Sequence, residues 1–295
     1  MGHVMTGRPE IRAASAQEFA AAIDWAAAEG WNPGLGDLAA FHAADPGGFL
    51  MGFDGSEPVS SISVVRYGDD FGFLGFYIVR PDRRGEGIGF DIWNAGMTWL
   101  EGRTVGLDGV VAQQDNYRKS GFVLAGRNVR YTGVPDSGIL EEPMPVGVDL
   151  IEPGTANLEA VVSYDARHFP SIRASFIRDW VGPVGGAAGR RSLVASRDGH
   201  IVGLGTIREC RAGFKVGPLF AETQEVAAGL FARLCASLSA GAVVSLDVPE
   251  DSPAAVALAV GSGLVPVFET ARMYRGTYPE IPLERIFGVT TFELG

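Results

Sequence analysis

The segment Phe71–Leu100, FGFLGFYIVRPDRRGEGIGFDIWNAGMTWL, runs an apolar strand straight into a glycine-rich turn that opens an amphipathic helix. Its first part, FLGFYIV, is apolar on both faces and stops at Arg80-Pro81. In the turn, Arg84-Gly85-Glu86-Gly87-Ile88-Gly89 places three residues without side chains where backbone must come close to a ligand. Backbone N–H groups and the positive end of a helix dipole converge there, which suits an anion and in particular a pyrophosphate. No Gly-Lys-[Ser/Thr] follows, so this is not a Walker loop, and a G-x-G-x-x-G dinucleotide fingerprint does not fit from Gly85 and Gly87.

In a chain with 41 glycines, R-x-x-G-x-G arises easily by chance, so the strand before it and the helix after it supply the specificity. In that setting the motif resembles the acetyl-CoA signature of the GCN5-related N-acetyltransferases (GNAT), usually [RQ]-x-x-G-x-[GA]. A second match lies downstream. The family closes its fold with a short tyrosine-bearing helix, roughly Y-x-x-x-G-F, that leads into a strand. Here Tyr117-Arg118-Lys119-Ser120-Gly121-Phe122 precedes the strand-like run GFVLAGRNVRYTG. The resemblance covers about residues 12–133. Taken alone, Tyr117 also reads as a helix-end aromatic packed on a sheet.

A chain of 295 residues with 46% apolar content has ample material for one large core or two ordinary ones. The start MGHVMTGRPEIRAAS has no basic stretch followed by an apolar run, and no apolar run reaches membrane-spanning length, so a soluble, cytoplasmic protein without a membrane partner is expected. Cys210 and Cys235 are too few for a disulfide framework, and with His3, His42, His168 and His200 they lack metal-ligand spacing. No metal is expected. The net charge of −11 is spread over both halves without a basic stripe, which argues against nucleic acid. It suits a cationic acceptor, and equally serves solubility.

The run Gly133–Gly147, GVPDSGILEEPMPVG, has the proline and glycine content of a linker. It divides the chain into 1–140 and 146–295. Ser15-Ala16-Gln17-Glu18 forms a capping-box pattern before a first helix, and a second is expected over 37–44. Strands follow at 49–53, 59–66 and 71–79, then a helix at 87–100, a strand at 105–111, the Tyr117 segment and a last strand. The second half repeats the order: helices at 156–162 and 170–181, strands at 192–196, 201–207 and 214–220, a helix at 222–239, a strand at 242–246, a helix at 253–261 and a strand at 264–274. Echoes such as Gly75-Phe76-Tyr77-Ile78 with Gly217-Pro218-Leu219-Phe220 suggest duplication. The fold class implied is α/β (α+β): two tandem GNAT folds, each a mixed, mostly antiparallel sheet flanked by helices. Together the halves resemble a tandem-domain bacterial acetyltransferase with a degenerate C-terminal domain. Where the first half has its glycine loop the second reads Phe220-Ala221-Glu222-Thr223-Gln224-Glu225, whose carboxylates would repel a pyrophosphate, and Ala259 stands in place of Tyr117.

The resemblance implies an acyltransferase enzyme, by family default a transfer of acetyl from acetyl-CoA to a small primary amine by direct attack. It assigns backbone N–H groups of Tyr77, Ile78 and Val79 to the acyl and pantetheine carbonyls, and Arg84, Gly85, Gly87, Ile88 and Gly89 to the pyrophosphate. Tyr117 is the implied general acid. Relatives often carry a base on the strand that here reads Phe73-Leu74-Gly75-Phe76, which offers none. Asp24, Asp165 and Asp247 are alternatives, each of which also reads as a cap or surface charge. Trp31 and Asn32, between the first two helices, are candidate acceptor-site residues, although Trp31 equally reads as folding back on the core. The segment 164–169 is a further candidate for the cleft, and Val184-Gly185-Gly186-Ala187-Ala188-Gly189, with no strand before it, reads as a connector. A different class stays open: a non-catalytic acyl-CoA-binding or sensor protein in which two pseudo-symmetric domains grip a ligand. The acceptor and the oligomeric state are not legible.

Overall fold

The computed structural model describes residues 8–182 and 189–295. The glycine run at 184–188 lies outside the described residues. The first half runs β1 (Glu10–Ala13), α1 (Ala16–Ala28), α2 (Asp37–Ala44), β2 (Phe49–Asp54), β3 (Glu57–Tyr67), β4 (Phe71–Val79), α3 (Ile88–Trp99), β5 (Thr104–Val110), α4 (Gln114–Lys119) and β6 (Val123–Gly133). A short helix α5 (Ser137–Leu140) leads to the second half: β7 (Asp149–Ile151), α6 (Leu158–Asp165), α7 (Ala174–Val181), β8 (Arg190–Arg197), β9 (His200–Glu209), β10 (Phe214–Ala221), α8 (Gln224–Cys235), β11 (Val244–Pro249), α9 (Pro253–Gly261), β12 (Val265–Arg275) and β13 (Ile286–Gly288).

Local chemistry explains several boundaries. The Ser15 hydroxyl accepts from the Glu18 N–H and the Glu18 carboxylate accepts from the Ser15 N–H, a reciprocal cap that fixes the start of α1. Phe19, Ala22, Ile23 and Ala26 then fall on the buried face. The polar ends of α8 shorten it relative to the apolar period: Thr223 caps its start, and the Ser237 hydroxyl turns back onto the Leu234 carbonyl at its close.

The sheet is one continuous surface in the order β1-β2-β3-β4-β5-β12-β6-β11-β10-β9-β8-β7, with β13 added to β10. The halves exchange their last long strands. β12, from the second half, pairs with β5 of the first, while β6 pairs with β11 of the second, and β6 and β12 pair with each other. The first half therefore lacks a complete sheet of its own. A chain cut after the linker would leave β5 without its antiparallel neighbour and β6 without either partner.

Aromatic packing joins the halves away from the sheet. Phe41 of α2 stacks on Trp180 of α7 with ring centroids 5.8 Å apart, and both are fully buried. α3 covers the opposite face, where Ile92 and Trp93 meet Ile62, Val64 and Leu74. α8 and α9 cover the second half's strands through Leu230, Phe231, Leu234 and Leu258.

Candidate active site

β4 pairs with β5 only from Phe71↔Thr104 to Leu74↔Leu107. Beyond Leu74 the strands part. β5 continues against β12, through Asp108↔Arg272 to Val110↔Thr270, and the β5-facing edge of Gly75–Val79 is left without a strand partner. A bulge accompanies the parting: between Ser63↔Gly75 and Ser61↔Ile78, β4 carries one residue more than β3. Phe76 sits there with φ of 45°, its carbonyl held by the Ser61 hydroxyl at 2.8 Å. Bulges of this kind re-aim a strand edge beside a site.

The splay opens a cavity of about 410 Å³ lined by Gly75–Val79, by Asp108–Val110, by Tyr117, and by Trp31, Phe268 and Phe292. Tyr117 is buried at its wall, stacked on Trp93 at 5.7 Å. Burial, with the neighbouring Tyr77 adding to it, pushes the Tyr117 phenol up to about 12, so it keeps its proton at neutral pH. Asp108 is spoken for: Arg272 grips it at 2.6 and 2.9 Å, and Asn128 donates to it at 2.8 Å. Glu29, at the cavity mouth, is ion-paired with Arg84.

The glycine loop lies beyond that mouth. Gly85 and Gly87 adopt φ of 85° and 84°, in the left-handed region, and a Cβ at either would meet nothing within 4 Å. Gly87 is the N-cap of α3 and supplies no side-chain cap, so the first N–H groups of that helix keep their hydrogen-bonding capacity. Gly89 lies against β4, where a Cβ would press on the Tyr77 hydroxyl at 2.9 Å. Open backbone, helix start and splayed strand thus form one track, which fits the residue-level expectation for a thioester cofactor with a pyrophosphate.

The second half has the same bulge and the same splay. β10 pairs with β11 only over Phe214–Val216, and carries the extra residue between Val216↔Ile207 and Leu219↔Gly205. There the gap is filled. β13 pairs with β10 through Leu219↔Gly288 and Phe220↔Ile286, and the Val289 N–H donates to the Asp247 carbonyl of β11 at 2.9 Å. At the start of α8, Thr223 supplies a side-chain cap and Glu222 pairs with Arg285 at 2.7 Å.

Of the acceptor-site candidates, Trp31 lines the cavity. Asn32 does not: its amide is used in a reciprocal pair with the Ala212 backbone at 2.8 and 2.9 Å. Asp24 is exposed on α1, where it pairs with Arg211, and it does not line this cavity. Asp165 is buried against Arg173, which also holds the Gly295 carbonyl at 2.7 Å and the Thr290 hydroxyl at 2.6 Å. It therefore anchors the C-terminal tail. Asp247 is consumed by Arg130 at 2.6 and 2.8 Å; burial opposes its charge, but that guanidinium outweighs burial and holds the carboxyl below its ordinary range. Arg130 of the first half, itself held by Asp247 of the second, and the buried second-half Lys215 both donate to the Trp31 carbonyl, at 2.9 and 3.0 Å, so groups from both halves hold the Trp31 loop. Lys215 is pushed down by burial and by Arg130.

Two cavity carboxylates escaped the reading of the sequence. Asp108, a lone charge in the strand VGLDGVV, was a usable signal. Glu293 carried none, because only the folded tail brings it to the cavity wall. Among the described residues no cluster of three or more His, Cys, Asp or Glu could hold a metal ion, and no helix is long and apolar enough to cross a membrane. Both cysteines are buried and free.

The acetyltransferase (GNAT) family model matches residues 16–122, and the acetyltransferase (GNAT) domain model matches residues 161–288. The chain is 34% identical over 282 residues to holothin acyltransferase of Pseudoalteromonas sp. (strain SANK 73390), covering 96% of this chain and 93% of that protein. A putative acetyltransferase from Pyrococcus horikoshii shares the fold with a TM-score of 0.77 at 20% identity, over 100% of this chain and 99% of the other. A tandem GNAT protein from the clavulanic acid biosynthesis pathway does so with a TM-score of 0.63 at 16% identity, over 92% and 99%. With two GNAT matches in sequence, and with the splay, the glycine loop and the buried tyrosine in the first of them, the chain belongs to the GNAT superfamily as a tandem-domain acyltransferase.

Proposed function

We propose that the β4–β5 cavity transfers an acetyl group from acetyl-CoA to a small primary amine. The observation that carries this reading is the unfilled splay at Gly75–Val79, which joins a largely apolar cavity to the glycine loop. In it, N–H groups of Tyr77, Ile78 and Val79 hold the acyl and pantetheine carbonyls and stabilise developing oxyanion charge without reorganising. Arg84, Gly85, Gly87, Ile88 and Gly89 hold the pyrophosphate, with Arg84 exchanging Glu29 for phosphate. Tyr117 gives its proton to the departing sulfur. Trp31, Phe268 and Phe292 favour an acceptor with an apolar body beside its amine.

On this reading residues 1–140 bind the cofactor, and residues 146–295 take none. β13 occupies the second cleft, and the second half instead holds the acceptor wall through Arg130's partner Asp247, Lys215 and Ala212. A small-molecule acceptor accords with the name of the holothin acyltransferase relative. The cytoplasm, where acetyl-CoA is made and used, is the setting we assign.

Titration calorimetry with acetyl-CoA should give one site per chain. Thiol release should then depend on one or more members of a panel of primary amines. Two equivalent sites would refute the asymmetry, and binding without any amine-dependent release would favour the sensor reading.

A further inference from the structure

We propose that Glu293, on the C-terminal tail of the second half, is the general base for the reaction at the first half's cavity. This rests on the acetyltransferase reading above. Three carboxylates line the cavity: Glu29, Asp108 and Glu293. Glu29 is half-exposed at the mouth and paired with Arg84, and Asp108 is gripped by Arg272, Asn128 and Thr270. Glu293 is only 4% exposed, yet its carboxylate makes no hydrogen bond or ion pair within the described residues. A buried carboxylate is costly unless it is compensated. Three buried cations sense its charge, Arg130, Arg208 and Lys215, and each is bonded elsewhere: to Asp247 and the Trp31 carbonyl, to Asp37, and to the Trp31 carbonyl. Its oxygens thus stay free for a ligand.

The tail is built to keep it there. The Thr291 hydroxyl accepts from the Leu294 N–H at 2.9 Å, closing a turn around Glu293. Arg173, locked by Asp165, holds the tail on both sides of that turn, at Thr290 and Gly295. The Glu293 backbone lies so close to Gly75 that a Cβ on Gly75 would collide with the Glu293 carbonyl oxygen. Gly75 is the first residue beyond the β4–β5 pairing, so the Glu293 backbone is seated beside the point where the splay begins, and the residue lines the cavity there.

In the step assigned to it, Glu293 takes one proton from the neutral acceptor nitrogen as the C–N bond forms. The thioester C–S bond then breaks; sulfur keeps the electron pair and takes the phenolic proton of Tyr117. Solvent carries the proton from Glu293 and restores the phenol, so one N–H and one C–S bond are exchanged for one C–N and one S–H bond.

The test uses the full chain with phenethylamine, tyramine and tryptamine as probe acceptors, chosen for the aromatic cavity walls. Glu293→Gln should lower kcat about 100-fold while leaving the acetyl-CoA Kd and the melting temperature unchanged. Glu293→Asp, which keeps a carboxylate, should recover part of the rate. Wild-type turnover matched by E293Q would overturn the assignment and leave the acetyltransferase reading standing. So would equal losses in E293Q and E293D accompanied by a lower melting temperature, which would mark a structural role. Acetyl-CoA binding without transfer to any probe would remove the amine site, and Glu293 with it, from this wall. A wild-type chain that fails to bind acetyl-CoA would overturn the function itself.

Discussion

At the β4–β5 splay the strand edge Gly75–Val79 faces a cavity, whereas at the β10–β11 splay the equivalent edge is paired with the chain's own β13. Both strands bulge where they part from their neighbour, and each has a glycine at or beside the bulge, Gly75 and Gly217. The bulge and the parting of strands belong to the fold; whether they make a site depends on what fills the gap. In one copy the backbone edge remains available to a ligand. In the other, β-strand addition from within the chain satisfies it, as an added peptide would. The same tail that closes the second cleft goes on to press Glu293 against Gly75 of the first. One copy has become the scaffold of the other's pocket.

The comparison breaks most sharply at the phosphate loop. On the proposed reading, Gly87→Val should abolish acetyl-CoA binding, because a side chain there would stand in the open space assigned to the pyrophosphate. Left-handed φ also makes the change cost about 1–3 kcal/mol in folding, which thermal melting would separate from the loss of binding. Affinity that survives this substitution would dissolve the distinction between the two copies at its main point.

Tyr117→Phe should come next, with kcat about 100-fold lower and the acetyl-CoA Kd unchanged. The pH profile sharpens the test. Because burial raises the phenol to about 12, the proton-bearing form persists well beyond the ordinary tyrosine range, and the wild-type rate should not fall through pH 10 on account of Tyr117. Loss would begin only as pH approaches that value. An alkaline limb near the ordinary tyrosine value that vanishes in Y117F would contradict the buried phenol. Equal loss of rate and binding would reduce Tyr117 to packing against Trp93.

The strand–glycine–helix segment was readable because its signals are local: apolar strand, side-chain-free turn, amphipathic helix. The repeat of elements was readable for the same reason, and α9 falls at 253–261 as expected. What the sequence hid is long-range. β6 and β12 alternate and end as any last strands would, and nothing in them states that each pairs across the repeat. β13 is three residues long, too short for periodicity to register. Asn32 and Trp31 looked alike as loop residues, and only the fold decides that one is tied to the Ala212 backbone and the other lines the cavity. Asp165 and Glu293 illustrate the limit most plainly. A carboxylate's role depends on which cation reaches it, and Arg173 reaches the first while no partner among the described residues reaches the second.

The smallest expected effect probes the filled copy. Thr223 caps α8 by accepting from the Val226 N–H at 3.4 Å, where the first copy has the uncapped Gly87. Removing a capping hydroxyl costs about 1 kcal/mol, so Thr223→Ala should lower the melting temperature slightly. Acetyl-CoA affinity and stoichiometry should not move, since the helix start it caps lies beside a cleft already closed by β13 and a Glu222–Arg285 pair. That is the opposite of Gly87→Val, where folding changes modestly and binding is lost. If Thr223→Ala instead altered acetyl-CoA affinity, the second copy's helix start would have to communicate with the first copy's cofactor, and the division between scaffold and site would need to be redrawn.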